Sequence, residues 1–162
     1  MKSKDALCMF LDTAQHAERH GAVFHTVLHF LRGSGIQAEL HRYIPGDWDR
    51  IQSGGRILTC DELQKEIVSR IRASLNVRPI YLATNFDGFA LGVTAAVQGI
   101  APAADIVEIL TTCYSEEEMR KSACRRGIEY DRLRHIETSD GGVIRKLREI
   151  LANEKGILSQ NR

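Results

Sequence analysis

Long apolar runs, an excess of charge, and patterned cysteines are all missing from this 162-residue chain, and aromatics make up only 6% of it. Nothing approaches the roughly 20 consecutive apolar residues of a membrane span, so no membrane association is expected. The 22 basic and 21 acidic residues leave a formal net charge of +1. No global excess therefore announces nucleic acid or marks an acidic solvating tail. Cys8, Cys60, Cys113 and Cys124 are scattered, with no C-x-x-C and no metal knuckle among them. No secretory pattern opens the chain, because Met-Lys-Ser-Lys-Asp is followed by only a short apolar run. A reduced cytoplasm with buried free thiols is the expected setting.

Phosphate cradles are missing as well. The first apolar run leads into Asp12-Thr13-Ala14-Gln15, neither G-x-G-x-x-G nor G-x-x-x-x-G-K-[ST], so no nucleotide cofactor is expected. Gly54-Gly55 and Gly141-Gly142 are isolated pairs that read as turns. G-x-S-x-G is absent, which makes Ser115 a helix cap rather than a nucleophile. Cys113 precedes a helix whose dipole could activate a thiolate, but Glu116 to Glu118 oppose that charge.

What remains is an ordinary globular composition, 43% apolar and 27% charged. The length suits one domain over 1–152 with a frayed tail over 153–162. Ala6 to Leu11 is an uninterrupted apolar run of strand length, stopped by Asp12-Thr13. Val23, Val27, Phe30 and Leu31 repeat at helical spacing over 22–32, and Gly33 and Gly35 end that helix. Ile36 to Ile44 alternates as a second strand. Pro45 to Gly55 reads as a loop, and Arg56-Ile57-Leu58 as a short strand or an approach to the next helix.

Thr59 to Glu62 has the S/T-x-x-E spacing of a capping box. Leu63, Ile67, Ile71 and Leu75 follow four apart, as one helical face requires. Ile80 to Ala83 is a short apolar strand that breaks into Thr84, Asn85 and Asp87, after which 89–97 forms an apolar, small-residue helix. Asp105 to Leu110 is a further strand. A second capping box at Ser115 opens a helix to Gly127, 128–137 is compatible with an edge strand, and 143–152 is a last amphipathic helix. Strands and helices alternating at this spacing predict a three-layer α/β/α sandwich around a mainly parallel sheet of about four to five strands.

Parallel strands align their carboxyl ends, where open α/β folds place ligands. The residues gathered there are Asp12 and Thr13, Asp47 and Asp49 beyond the second strand, Thr84, Asn85 and Asp87, and Thr111 and Thr112, with Asp61 at a helix start that could face the same edge. Several carboxylates in one cleft repel one another, and a hard divalent cation such as Mg²⁺ or Mn²⁺ neutralises them best. Such an ion could activate water and shield a phosphodiester. The competing reading is that Asp and Asn at strand ends cap helices and form turns. His16 and His20, four apart with Asp12 four earlier, raise zinc as an alternative without a supporting motif, and a solvated face is the preferred reading of them.

These residues resemble the NYN/PIN-like family of metal-dependent ribonuclease domains. Cys8-Met9-Phe10-Leu11-Asp12-Thr13 is similar to that family's opening strand, which ends in Asp. Leu40 to Trp48, with its Gly46-Asp47-Trp48 turn, is similar to a later strand end, and Tyr81 to Phe89 to the Ser/Thr and Asp cluster before Phe. Asp87 stands one place early, since Gly88 precedes Phe89, and the middle acid can only be Asp61. The resemblance implies RNA as partner and Asp12, Asp61 and Asp87 as catalytic metal ligands. In a nuclease of this kind Thr84 and Asn85 are expected to orient water or phosphate, Arg42 and Arg56 to meet the RNA backbone, and Thr13 and Asp47 to be further binding residues. A non-catalytic ligand-binding or oligomerising module that uses the carboxyl edge of the sheet, for instance as a homodimer, is the alternative expectation.

Overall fold

β-Branched and aromatic runs too short for helices assemble this chain into a single sheet. The computed structural model describes residues 7–13, 29–43, 51–53, 56–75, 79–83, 88–137 and 142–153, by their backbone in the first four strands. The strands are β1 (Leu7–Thr13), β2 (Gln37–Tyr43), β3 (Ile51–Ser53), β4 (Arg56–Leu58), β5 (Ile80–Ala83), β6 (Val107–Thr112) and β7 (Leu133–Glu137). Their order across the sheet is β4-β3-β2-β1-β5-β6-β7. The run from β2 to β7 is parallel throughout, while β3 and β4 form an antiparallel extension beside β2. The helices are α1 (29–33), α2 (Cys60–Ala73), α3 (Gly88–Ile100), α4 (Glu116–Arg125) and α5 (Val143–Asn153).

The mixed α/β architecture is as expected, but the sheet has seven strands rather than four to five. β3 and β4 account for the excess: three residues are too few for a period-2 signal, and Ile51 to Ser53 lies within the stretch read as loop. Two strand ends also run further than apolarity indicates. β1 continues through Asp12 and Thr13, and β6 through Thr111 and Thr112. Threonine suits a strand, because its branched Cβ fits the pleated surface. Within 128–137 the strand is confined to Leu133–Glu137, after a single 3-10 turn at Tyr130–Arg132.

β5 and β6 are buried along their whole length. Alternate residues enter two separate apolar clusters, as the two-residue period of a strand requires. Tyr81, Ala83 and Leu110 join Leu63, Ile67 and Ile71 of α2, Leu91, Val93 and Val97 of α3, and Met119 and Ala123 of α4. Ile80, Leu82, Val107, Ile109 and Ile136 join Leu31, Leu147 and Leu151 of α1 and α5. The buried Tyr81 hydroxyl accepts a hydrogen bond from Thr94 of α3 at 3.4 Å.

Helix ends are set by residues legible in the sequence. Thr59 caps α2 by accepting the Glu62 N–H at 3.2 Å. Ser115 and Glu118 form a complete reciprocal capping box on α4. α1 and α4 stop in the same way: Gly35 and Gly127 take φ of 80° and 70°. Ile36 N–H then reaches back to the Leu31 carbonyl, and Ile128 N–H to that of Ala123, both at 2.9 Å. Six-to-one bonds of this kind satisfy carbonyls that a helix end would otherwise leave bare.

Among the described residues one charged pair lies inside the fold. Glu108 of β6 is 2% exposed and meets Arg132 at 2.9 Å. The same guanidinium donates to the carbonyls of Gln98 at 3.3 Å and Ala101 at 2.6 Å. It thereby ties the carboxyl end of α3 to the amino end of β6.

Candidate functional site

The strand registers define the edge at which polar residues collect. His41, Leu11, Ala83, Leu110 and His135 form one row across β2, β1, β5, β6 and β7. β5 stops there. β1 and β6 each continue two residues further, carrying Asp12 and Thr13 on one side and Thr111 and Thr112 on the other. The chain also changes direction across the sheet at this point. From β1 it builds outward through β2, β3 and β4, then crosses to β5 on the other side of β1 and builds outward through β6 and β7. The junction between β1 and β5 is therefore a topological switch point, and ligands of open α/β sheets bind outside the carboxyl ends of the strands flanking such a point.

Each expected site residue can be placed against this edge. Asp12 and Thr13 end β1, directly beside the switch point. Arg42 occupies the register position next to Asp12 on β2. Arg56 opens β4, opposite Ser53, which in turn pairs with His41. That position is one row short of Asp12 and three strands away from β1. Asp47, Asp49, Thr84, Asn85 and Asp87 lie outside the described residues, as do His16, His20, Gly54-Gly55 and Gly141.

Asp61 reaches the same edge by a different route. Leu58 is level with Ile51, Tyr43 and Thr13 through successive strand pairs, so α2 begins at the carboxyl edge. It begins beside β4, however, three inter-strand spacings or about 14 Å sideways from β1. Asp61 is exposed in the first turn of α2, where a carboxylate complements the helix dipole. Thr59, not Asp61, supplies the cap. Among the described residues, no three His, Cys, Asp or Glu side chains gather closely enough to hold a metal ion.

On the β6 side the edge is closed by local bonds. Thr112 is buried, and its hydroxyl accepts the Tyr114 N–H at 3.3 Å. Ser115 then starts α4, whose first turn carries Glu116, Glu117 and Glu118, all exposed. Cys113 and Cys124 are exposed as well, not buried as expected of free thiols, since one follows the end of β6 and the other lies on the outer face of α4.

A polar cluster adjoining this side was not anticipated from the sequence. The Tyr130 hydroxyl and His135 Nδ1 are 2.9 Å apart, with the rings edge to face. Arg120 lies over the Tyr130 ring, 4.4 Å from its centroid, and is held by Glu116 and Asp131 at 3.1 Å each. Burial pushes the His135 pKa down, against the upward pull of Glu137 and Glu116. Burial also raises the Tyr130 pKa. This histidine therefore favours its neutral form, with its Nδ1 already engaged. Five-residue spacing in an irregular segment carries no periodic signal that would have revealed the pair.

The chain matches no family model and none of the curated proteins. No helix among the described residues is long and apolar enough to cross a membrane.

Proposed function

We propose that this chain is a three-layer α/β/α sandwich acting as a Mg²⁺- or Mn²⁺-dependent ribonuclease-like domain, with its working edge at the β1–β5 junction. The observation that carries this reading is the switch point. It puts Asp12, at the end of the central strand, at the position where an open parallel sheet accepts a ligand. The layering is supported by the two apolar clusters, one drawing on α2, α3 and α4 and the other on α1 and α5. In this reading Asp12 and Asp87 hold the cation, and Thr13, Thr84, Asn85 and Asp47 orient water and phosphate. Asp61 enters from the side as an outer ligand, and Arg42 and Arg56 neutralise the RNA backbone. The ion supplies Lewis acidity and lowers the pKa of a bound water. The setting expected for such a domain is cytoplasmic.

The direct test is cleavage of single-stranded RNA with Mn²⁺, by wild-type protein and by Asp12→Asn. Metal-dependent cleavage that disappears in the variant is the expected outcome. Wild-type protein that leaves several unrelated RNAs intact in Mn²⁺ would overturn the reading.

The alternative, a non-catalytic module that binds a ligand or oligomerises through the carboxyl edge of the sheet, rests on the same switch point, which accepts a ligand whether or not chemistry follows. Sedimentation separates the two readings. A dimer that shows no thermal response to divalent metal supports the module, and a metal-stabilised protein supports the nuclease.

A further inference from the structure

We propose that Tyr130 and His135 form an acid-sensitive latch, which holds the 3-10 turn and β7 in place and lets them open when His135 takes up a second proton. Among the described residues β7 is the outermost strand on its side of the sheet. Only Leu133 and Ile136 of its five residues are buried, so polar contacts supply much of the fastening. Gln98 of α3 binds the Glu129 backbone at both its N–H and its carbonyl, at 2.8 and 3.2 Å. Arg132 meets Glu108 of β6 at 2.9 Å. Between turn and strand, the Tyr130 hydroxyl lies 2.9 Å from His135 Nδ1, and Arg120 of α4 covers the Tyr130 ring.

The imidazole is suited to one proton only. A neutral ring offers one donor and one acceptor, a protonated ring two donors. Nδ1 is engaged by Tyr130. Nε2 is buried and forms no hydrogen bond with the described residues, although the Tyr114 backbone approaches the ring. A second proton turns the Tyr130 bond around and leaves a charged ring whose buried N–H lacks an acceptor. The surrounding charges do not offset this. Glu137 on β7 and Glu116 on α4 favour the cation, while Lys146 on α5 opposes it. Glu116 is itself paired with Arg120, as is Asp131 beside Tyr130. Arg134 takes the opposite face of the sheet. β6 places the apolar Leu110 next to His135, and its one acid, Glu108, is paired with Arg132. Burial outweighs the acids and holds the His135 pKa below its ordinary 6.5.

Once β7 has opened, the ring is solvated and titrates normally, so acid favours the open form. An edge strand suits such a step, because local opening costs least where few apolar side chains are buried. The other buried charged pair on this segment acts in the opposite direction. The elevated Glu108 pKa makes that pair's contribution grow as pH falls, so it does not produce an acid release.

The test is amide hydrogen exchange of the full chain at about pH 7.5 and about pH 5.5, with rates normalised for the intrinsic effect of pH. Peptides covering 130–137 should open several times more at the lower pH. The limit is about tenfold, for one proton taken up a unit below the ordinary value. Peptides of α2 should keep their protection. His135→Gln should remove the pH dependence at 130–137. Tyr130→Phe, which deletes the Nδ1 partner, should open the same peptides about fivefold more at the higher pH, and it decides the matter if His135→Gln does not fold. Equal opening of wild type at the two pH values overturns the inference, as does acid opening that persists in His135→Gln. Acid opening shared equally by α2 also overturns it, since a loss of stability throughout the molecule requires no latch. Unchanged protection in Tyr130→Phe does the same.

Discussion

Glu108 shows how much one residue can depend on a distant partner. Within Asp105 to Leu110 it reads as an ordinary strand residue, and only the fold reveals Arg132 across from it. A buried pair of this kind becomes costly when one member is lost. Arg132→Ala should therefore destabilise the protein by about 3–5 kcal/mol, measurable by urea denaturation. Adding Glu108→Gln should recover part of the loss. Burial raises the Glu108 pKa above its ordinary 4.5, although Arg132 pulls it down. The folded state thus holds this proton more tightly than the unfolded chain. Its contribution to stability is complete below pH 4.5 and declines as pH rises through the elevated value. His135 has the opposite sign. Its pKa is lowered from 6.5, so stability present above pH 6.5 is lost as pH falls through the depressed value. Melting temperatures across pH 4 to 7 should show a smaller acid-side loss in His135→Gln. Glu108→Gln should lose the decline that sets in above pH 4.5.

At the level of elements, the most legible features were those with strict spacing. Leu63, Ile67 and Ile71 repeat every four residues, and all three are fully buried beneath α2. Both S/T-x-x-E spacings direct helices to start where their threonine and serine stand, although only the one at Ser115 closes as a reciprocal box. Ser115→Ala should destabilise by about 1 kcal/mol in thermal denaturation, because Glu118 loses the partner that completes its box. Gly127→Ala should cost about 1–2 kcal/mol, since a Cβ is disfavoured at φ 70° although no neighbouring atom obstructs it. The strands were harder to read. Asp12 and Thr111 mark the limits of apolarity but not of pairing, because backbone hydrogen bonds continue after hydrophobic side chains end. β3 gave no signal, and β4 only an ambiguous one at Arg56 to Leu58. Each is three residues long, β3 supported by β2 and β4 by β3.

Across the whole molecule, α/β alternation was visible from residue spacing, whereas the order of strands was not. Nothing in the sequence says that β5 crosses back to lie against β1, so the edge could be expected while its switch point could not. The Asp12 placement leads to a ligand prediction. Saturating Mn²⁺ at 100 times its dissociation constant should stabilise the protein by about 2.7 kcal/mol, and Asp12→Asn should abolish most of that gain, as read from melting temperatures with and without EDTA. The crossing has a further consequence during synthesis. Cys8 finds its partner Ile80 only after α2 has been made, so a ribosome-bound fragment holding β1 to β4 has half its central strand still unmatched. The seam beside Asp12 is therefore assembled late, and any nascent chain stalled before β5 would present a sticky backbone to chaperones or to its neighbours.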